Sequence, residues 1–377
     1  MKKILITGGA GFIGSSLSLK LLDLGYEVIV LDNLSEQIHG EDPNESYTYN
    51  MIKNKVKFIK GSVEKEEDWL KCLPEADFIV HLAAETGTGQ SMYQITKYTD
   101  VNIRGTSLML ELLANNKFNV KKIVYASSRA VYGEGKYLCK DHGVVSPLSR
   151  EDSDMRTGDF SVKCPICRNN VSLLKTDEDS LLKPSSVYGF TKQAQEQLCG
   201  IVCKSINIPN VGLRFQNVYG PGQSLSNPYT GILSIFSNLL LQNKNLNIFE
   251  DGKESRDFVY IDDVVNSIIL ALFNTNIKDG IFNIGSGEKT TVLTVAEELK
   301  KLYRSNSNIS ISGNYRIGDI RHNIADLEKS KSKLNYHPSV SFSNGIKEFA
   351  EWVKGENIKA IKYEQSIEEM KSRGLLK

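Results

Sequence analysis

The chain has 377 residues, 40% of them hydrophobic, and 46 Lys and Arg against 45 Asp and Glu leave a net charge of +1. This length predicts one large α/β domain or about two domains around a substantial core. With no basic or acidic block and no long apolar run, neither nucleic acid nor a membrane is an expected partner. The six cysteines (72, 139, 164, 167, 199 and 203) are too few for a disulfide scaffold, and glycines after Ile4-Leu5-Ile6 interrupt any export signal. A cytoplasmic protein with reduced thiols is expected.

The first elements are a strand over 2–7, a turn containing Gly8, Gly11 and Gly14, and a helix from Phe12 and Ile13 to Leu24. Glycines at those positions allow a tight turn, a close approach of pyrophosphate to the helix N-terminus, and close helix–strand packing. The plain alternative is a glycine-rich turn. A second strand over 26–31 ends at Asp32 and Asn33, eighteen residues beyond Gly14. An acid there accepts the ribose hydroxyls and repels a 2′-phosphate, so NAD is expected rather than NADP.

Strand and helix then alternate. Strands are predicted over 56–60, 77–82 and 121–126, with helices over 64–72 and 93–115. This is the pattern of a Rossmann-type, doubly wound parallel sheet, whose ligands sit beyond the carboxyl ends of the strands. From about 135 to 183 the periodicity disappears. Cys139-x-x-His142 and Cys164-Pro165-Ile166-Cys167 stand there with knuckle spacing, separated by twenty-one residues. They are either ligands of a structural Zn²⁺ or unrelated polar-loop residues. Beyond lies a helix over 186–205 with Tyr188 and Lys192 one turn apart on one face, where a cation favours the phenolate. Cys199 and Cys203 on the same helix read as small core residues. A strand over 210–215, further strands near 247–249, 255–260 and 281–284, and helices over 231–242, 262–273 and 292–303 follow. Short helices around 327 and over 346–353 complete the regular structure. The division expected is 1–215 for the dinucleotide, with the insertion at about 135–183, then a discontinuous, smaller mixed α/β substrate lobe over 216–354 and a peripheral charged tail over 355–377.

Thr7-Gly8-Gly9-Ala10-Gly11-Phe12-Ile13-Gly14, His81-Leu82-Ala83-Ala84, Asn102 with Gly105-Thr106, Ser127-Ser128 before Val131-Tyr132-Gly133, Tyr188 with Lys192, and Asn217-Val218-Tyr219-Gly220-Pro221 occur in one order. Together they resemble the extended short-chain dehydrogenase/reductases, the NAD-dependent nucleotide-sugar epimerases and dehydratases, over nearly the whole chain. The resemblance implies a homodimer and bound NAD. It implies that Tyr188 is the acid/base, that Lys192 binds the nicotinamide ribose and lowers the tyrosine pKa, and that Ser128 bonds to the reacting oxygen. Asn102 would support the cofactor site, and Leu82, Ala83 and Ala84 would line it. Thr86, Ser128, Arg129, Asn217, Arg256, Arg316 and Asp319 would meet a nucleotide-sugar substrate. Taken alone, each of the last two arginines reads equally as a surface ion pair.

Two departures stand out. The usual Asp after the third strand is Ser62, so adenine would meet Ser62 and the Val63 backbone. The dehydratases carry Asp-Glu after the residue corresponding to Ser128, where this chain has Arg129-Ala130. Without those carboxylates the acid/base pair for eliminating water is missing. Ser128 and Tyr188 lie 60 residues apart because of the Cys/His insertion. With the stretches 84–91 and 227–231, that insertion looks most like dTDP-L-rhamnose 4-epimerases. The implied activity is 4-epimerisation of a dTDP-6-deoxyhexose through transient oxidation at C4. The rivals are a UDP-sugar 4-epimerase, a 4-keto reductase that consumes its cofactor, and a non-catalytic NAD-binding module.

Overall fold

The computed structural model describes residues 2–356 and 363–377, apart from 226, 228 and 230. Two positions of the 227–231 stretch, 228 and 230, therefore lie outside the described residues.

Seven parallel strands form the central sheet: β1 (Lys3–Thr7), β2 (Glu27–Asp32), β3 (Lys57–Lys60), β4 (Phe78–His81), β5 (Lys122–Ser128), β6 (Asn210–Phe215) and β7 (Gly280–Ile284), in the order β7-β6-β5-β4-β1-β2-β3. The strands read as apolar runs because helices cover both faces: β5 and β6 are buried throughout. A parallel sheet needs such cover on each side. The order reverses at β1, where β2 and β4 flank it, and this is the switch point at which doubly wound sheets bind ligands. β7 comes from the second half of the chain yet pairs along its full length with β6. The C-terminal half thus returns to complete the main sheet, while its short strands form small sheets beside it.

Two helices matter most here. α1 (Phe12–Asp23) follows the glycine turn, and α2 (Val187–Ser205) carries Tyr188 and Lys192. Ser186 caps α2 by accepting the Gly189 N–H at 3.1 Å. Cys199 and Cys203 are fully buried in the cluster around Tyr125.

Three expectations change. The helix predicted over 93–115 is interrupted: Ile95–Thr99 and Gly105–Asn115 are joined by a π turn at Asp100–Arg104. A π turn rotates side chains relative to an unbroken helix, and here Asn102 reaches the segment after β4. The insertion has strands of its own, with Tyr137–Cys139 paired to both Gly143–Val145 and Ser172–Leu173. The tail expected at the periphery instead packs inward. Its helix Tyr363–Ser372 buries Ser366 and Met370, and the last residues pair with Tyr315 through two backbone hydrogen bonds of 2.8 and 3.0 Å. Its charges misled because Met370 and Leu376, each 5% exposed, provide the apolar contact.

Candidate active site

The turn between β1 and α1 is built for backbone to approach a ligand. Gly8 has φ +67°, and a Cβ there would lie 2.8 Å from the Ala83 amide; at Gly14 it would lie 2.4 Å from the Gly8 carbonyl oxygen. The N-cap of α1 is Gly11, which brings no side chain to the first amides of the helix. Unpaired N–H groups with a helix dipole behind them suit an anion such as a pyrophosphate. Asp32, at the end of β2, accepts the Ala10 and Leu34 amides at 2.9 and 2.8 Å, so it braces the turn as well as facing the cavity. Burial raises its pKa, and those amides oppose the rise.

A cavity of about 1170 Å³ runs from this turn across the carboxyl ends of the strands. It brings together Gly8, Gly11, Phe12, Ile13, Gly14, Asp32, Asn33, Ser62, Val63, Leu82, Ala83, Ala84 and Thr86 with Ser128, Tyr188 and Lys192. Two lining residues that the sequence reading missed are Gln216 and Gln223: both side-chain atoms of Gln216 and the Gln223 Oε1 are buried with no hydrogen-bond partner among the described residues. Such atoms cost stability unless something pairs with them. The glycine cradle, the uncapped helix and these orphaned amides fit a dinucleotide. Their polar atoms lie just beyond β6, a position that could have flagged Gln216 in the sequence.

Ser128 ends β5 and accepts the Ala130 amide at 3.2 Å. The Tyr188 N–H donates to Ser91 Oγ at 3.0 Å, and its ring meets Tyr98 edge-on with centroids 6.4 Å apart. Burial raises the Tyr188 pKa, while the Ser128 hydroxyl and the Arg129 cation pull it down. Lys192 Nζ donates to the Ala126 carbonyl at 3.0 Å, and burial pushes its pKa to about 7. The Arg129 cation thus joins Lys192 as a source of electrostatic help for the phenol. Asn102 does not line the cavity. Its amide donates to the Glu85 carbonyl at 3.1 Å and Thr191 Oγ1 at 2.9 Å and accepts the Glu85 N–H at 2.8 Å, tying the loop after β4 to α2.

The substrate candidates beyond Thr86 and Ser128 form a separate, charged neighbourhood. Arg129 Nε donates to Asn217 Oδ1 at 2.7 Å. Arg316 pairs with Asp319 at 2.9 Å, and both border a narrow recess with Thr88, Ser185 and Met370. Arg256 donates to the Ile320 and Arg321 carbonyls, at 2.9 and 3.1 Å, and so also orders the segment carrying Arg316. From the tail, Glu369 lines the main cavity and accepts the hydroxyls of Tyr229 and Tyr93 at 2.7 and 3.1 Å.

In the insertion, all four expected ligand atoms of Cys139, His142, Cys164 and Cys167 lie within 4.8 Å of one another. Cys139 Sγ is 3.6 Å from His142 Nδ1 and 3.7 Å from Cys167 Sγ, and Cys164 Sγ is 3.7 Å from His142 Nδ1.

Residues 4–151 and 170–285 match the NAD dependent epimerase/dehydratase family. The chain belongs to that family. It is an NAD-dependent enzyme of nucleotide-sugar chemistry. A dTDP-L-rhamnose 4-epimerase of Burkholderia thailandensis is 36% identical over 94% of this chain and 96% of its own length. Among solved structures, the Thermotoga maritima UDP-glucose 4-epimerase with UDP-glucose superposes with a TM-score of 0.77 at 30% identity, covering 94% of this chain and 99% of that one. The Bacillus cereus UDP-glucuronic acid 4-epimerase, solved with UDP-glucuronic acid and NAD, reaches 0.75 at 28% identity with the same coverage.

Proposed function

We propose that this enzyme is a nucleotide-sugar 4-epimerase whose substrate is a dTDP-6-deoxyhexose such as dTDP-L-rhamnose. The observation that carries the reading is the hydroxyl pair of Ser128 and Tyr188 on the dinucleotide cavity, with Arg129 where a dehydratase would carry acid. When bound, NAD supplies a reversible hydride acceptor for C4 of the sugar. Gly8, Gly11 and Gly14 would hold its pyrophosphate and Asp32 and Lys192 its riboses. Tyr188, as phenolate, takes the C4 hydroxyl proton, and the Ser128 hydroxyl bonds to the same oxygen. Once that oxygen is a carbonyl, both groups donate to it, so the site serves alcohol and ketone alike. Tyr188 returns the proton after the sugar has presented its other face. Arg256, Arg316 and Asp319, with Asn217, would keep the nucleotide in place meanwhile, since guanidinium forks match a diphosphate. On this reading residues 1–215 hold the dinucleotide and 216–354 the substrate.

Purified enzyme mixed with dTDP-L-rhamnose, and separately with UDP-glucose, should yield the C4 epimer of dTDP-L-rhamnose by NMR without net NADH formation. No C4 epimer from either would overturn the assignment, an epimer of UDP-glucose alone would move the substrate to the UDP-sugars, and stoichiometric NADH formed from added NAD would favour a 4-keto reductase running in reverse.

The same proposal places Zn²⁺ on Cys139, His142, Cys164 and Cys167. With Zn–S bonds of ~2.3 Å, the edge of a tetrahedral site is about 3.8 Å, a little less where nitrogen replaces sulfur. The three distances above have that length, and the Ile166 amide points at Cys164 Sγ at 3.5 Å, as suits a thiolate. Equal zinc content in the parent and in a Cys164→Ser/Cys167→Ser variant would remove the metal from the proposal. We further propose a cytoplasmic homodimer. Phe190 and Ile201, 54% and 70% exposed on one face of α2, are apolar groups that a partner would cover, which sedimentation equilibrium tests.

A further inference from the structure

We propose that the Cys/His insertion is a strut for the nucleotide grip: its metal knuckle fixes Arg150, and Arg150 holds the segment 315–321 that presents Arg316 and Asp319. This inference rests on the zinc and substrate assignments made above and adds a role that neither requires.

The connections run in one direction. His142 and Cys164 close a loop that contains Arg150, Asp152, Met155 and Phe160. The insertion has only a small apolar cluster of its own, Tyr137, Cys139, Val145, Val162 and Cys164, far short of what orders a segment this long. A metal tying the two ends would supply the missing order. Arg168 follows Cys167 directly, in the left-handed conformation with φ 63°, and reaches back to Glu151 at 2.7 Å and Asp154 at 2.8 Å. The knuckle thereby grips the residues beside Arg150.

Arg150 in turn grips the substrate side. Its side chain is 3% exposed, bonds bidentately to Glu250 at 2.7 and 2.8 Å, and donates to the Asp319 carbonyl at 2.9 Å. Glu250 also accepts Arg321 at 2.9 Å, and Glu134 accepts the Arg321 amide at 2.9 Å while lying 3.3 Å from Arg150 Nε. At the other end of the segment, Asp152 accepts the Tyr315 hydroxyl at 2.7 Å, and Tyr315 packs on Phe160 and Met155. Arg316 and Asp319 are thus suspended between two anchors that both belong to the loop closed by the knuckle. Arg150 touches no reacting group in this arrangement; it is a positioning residue.

The test measures nucleotide affinity separately from catalysis. dTDP and UDP are titrated calorimetrically into the whole NAD-loaded protein for the parent, Arg150→Lys, Arg150→Met, and Cys164→Ser/Cys167→Ser, with metal and NAD content assayed for each. Arg150→Met should weaken nucleoside diphosphate binding roughly tenfold to a hundredfold, the span set by lost hydrogen bonds to charged groups. Arg150→Lys should fall between, since a point charge cannot replace the fork. The metal-free double variant should move in the same direction, with NAD retained and KM rising more than kcat falls. Should Arg150→Met not fold, the exposed Arg168→Met variant should show a smaller loss of the same kind. Affinity within twofold of the parent in the arginine variants or in the metal-free protein would overturn the strut, as would parent protein that contains no metal. If nucleotide binding responds as expected while no sugar is epimerised, the failure belongs to the activity assignment instead.

Discussion

Asn102→Ala removes three hydrogen bonds from a fully buried side chain. Thr191 Oγ1 keeps a partner, since it also donates to the Tyr188 carbonyl at 2.8 Å. The Glu85 N–H and C=O, however, lose the side chain that satisfied them. A stranded backbone group costs about 1–3 kcal/mol, so the pair and the small void together should cost roughly 3 kcal/mol. For a protein of this size, that is a fall in Tm of about 4 °C. The larger consequence is functional, because Asn102 joins the cavity wall at Ala84 and Glu85 to the helix carrying Tyr188. A 1 Å loosening at such a joint costs on the order of a hundredfold in rate. Scanning calorimetry, epimer formation and NAD content measure the three effects. Asn102→Asp should do no better, since a carboxylate beside the Glu85 carbonyl repels where the amide donated. A variant that melts and turns over like the parent would show that this bridge holds nothing.

Other outcomes follow from the same geometry. Tyr188→Phe should cut turnover about 10²–10⁴-fold with NAD still bound; unaffected turnover would remove Tyr188 from the chemistry. Because the base must be deprotonated, kcat/KM should rise with pH through the Tyr188 ionisation, and Arg129→Met, which deletes a cation that lowers it, should move that rise to higher pH. A limb that stays in place counts against the coupling. Burial, then the neighbouring Glu250, pushes the Glu254 pKa up to about 7. Its unfolded value is lower, so native stability from the protonated form is present in acid and declines as pH rises toward 7, and by pH 8 the buried carboxylate costs at most about 3 kcal/mol. Glu254→Gln should therefore raise Tm at pH 8 and hardly at all at pH 4, and equal gains at both values would be inconsistent. Gly14→Ala, whose Cβ would collide with the Gly8 carbonyl oxygen at 2.4 Å, should yield protein without NAD; a full complement of NAD in that variant would refute the cradle.

Most of the fold could be read from local pattern. The alternation of apolar runs with 3.6-residue periodicity, the glycines before Phe12 and the acid at the end of β2 each report a requirement set within a few residues of chain. The family match follows from the same runs. The pairing of Cys139 and His142 with Cys164 and Cys167 was visible as spacing because each half of a knuckle is local. Four features were beyond that reach. The Tyr98–Asn102 region reads as one helix until the Glu85 backbone, seventeen residues earlier, asks for an amide and a π turn turns Asn102 toward it. Arg129 has no helical spacing to Tyr188, and only the fold sets its cation where it lowers the tyrosine pKa. The tail looks solvated until Met370 and Leu376 find apolar cover and Glu369 reaches two tyrosines from distant loops. Arg150 has no motif at all. Its role exists only where Glu134, Glu250 and the Asp319 carbonyl, brought in from three separate stretches, surround one guanidinium. Sequence alone determined the elements and the chemistry that each can carry, because propensity, periodicity and turn geometry act between near neighbours. Tertiary structure decided which charges share a low-dielectric space and which loops brace one another, since desolvation and long-range hydrogen bonds do not exist until distant segments meet.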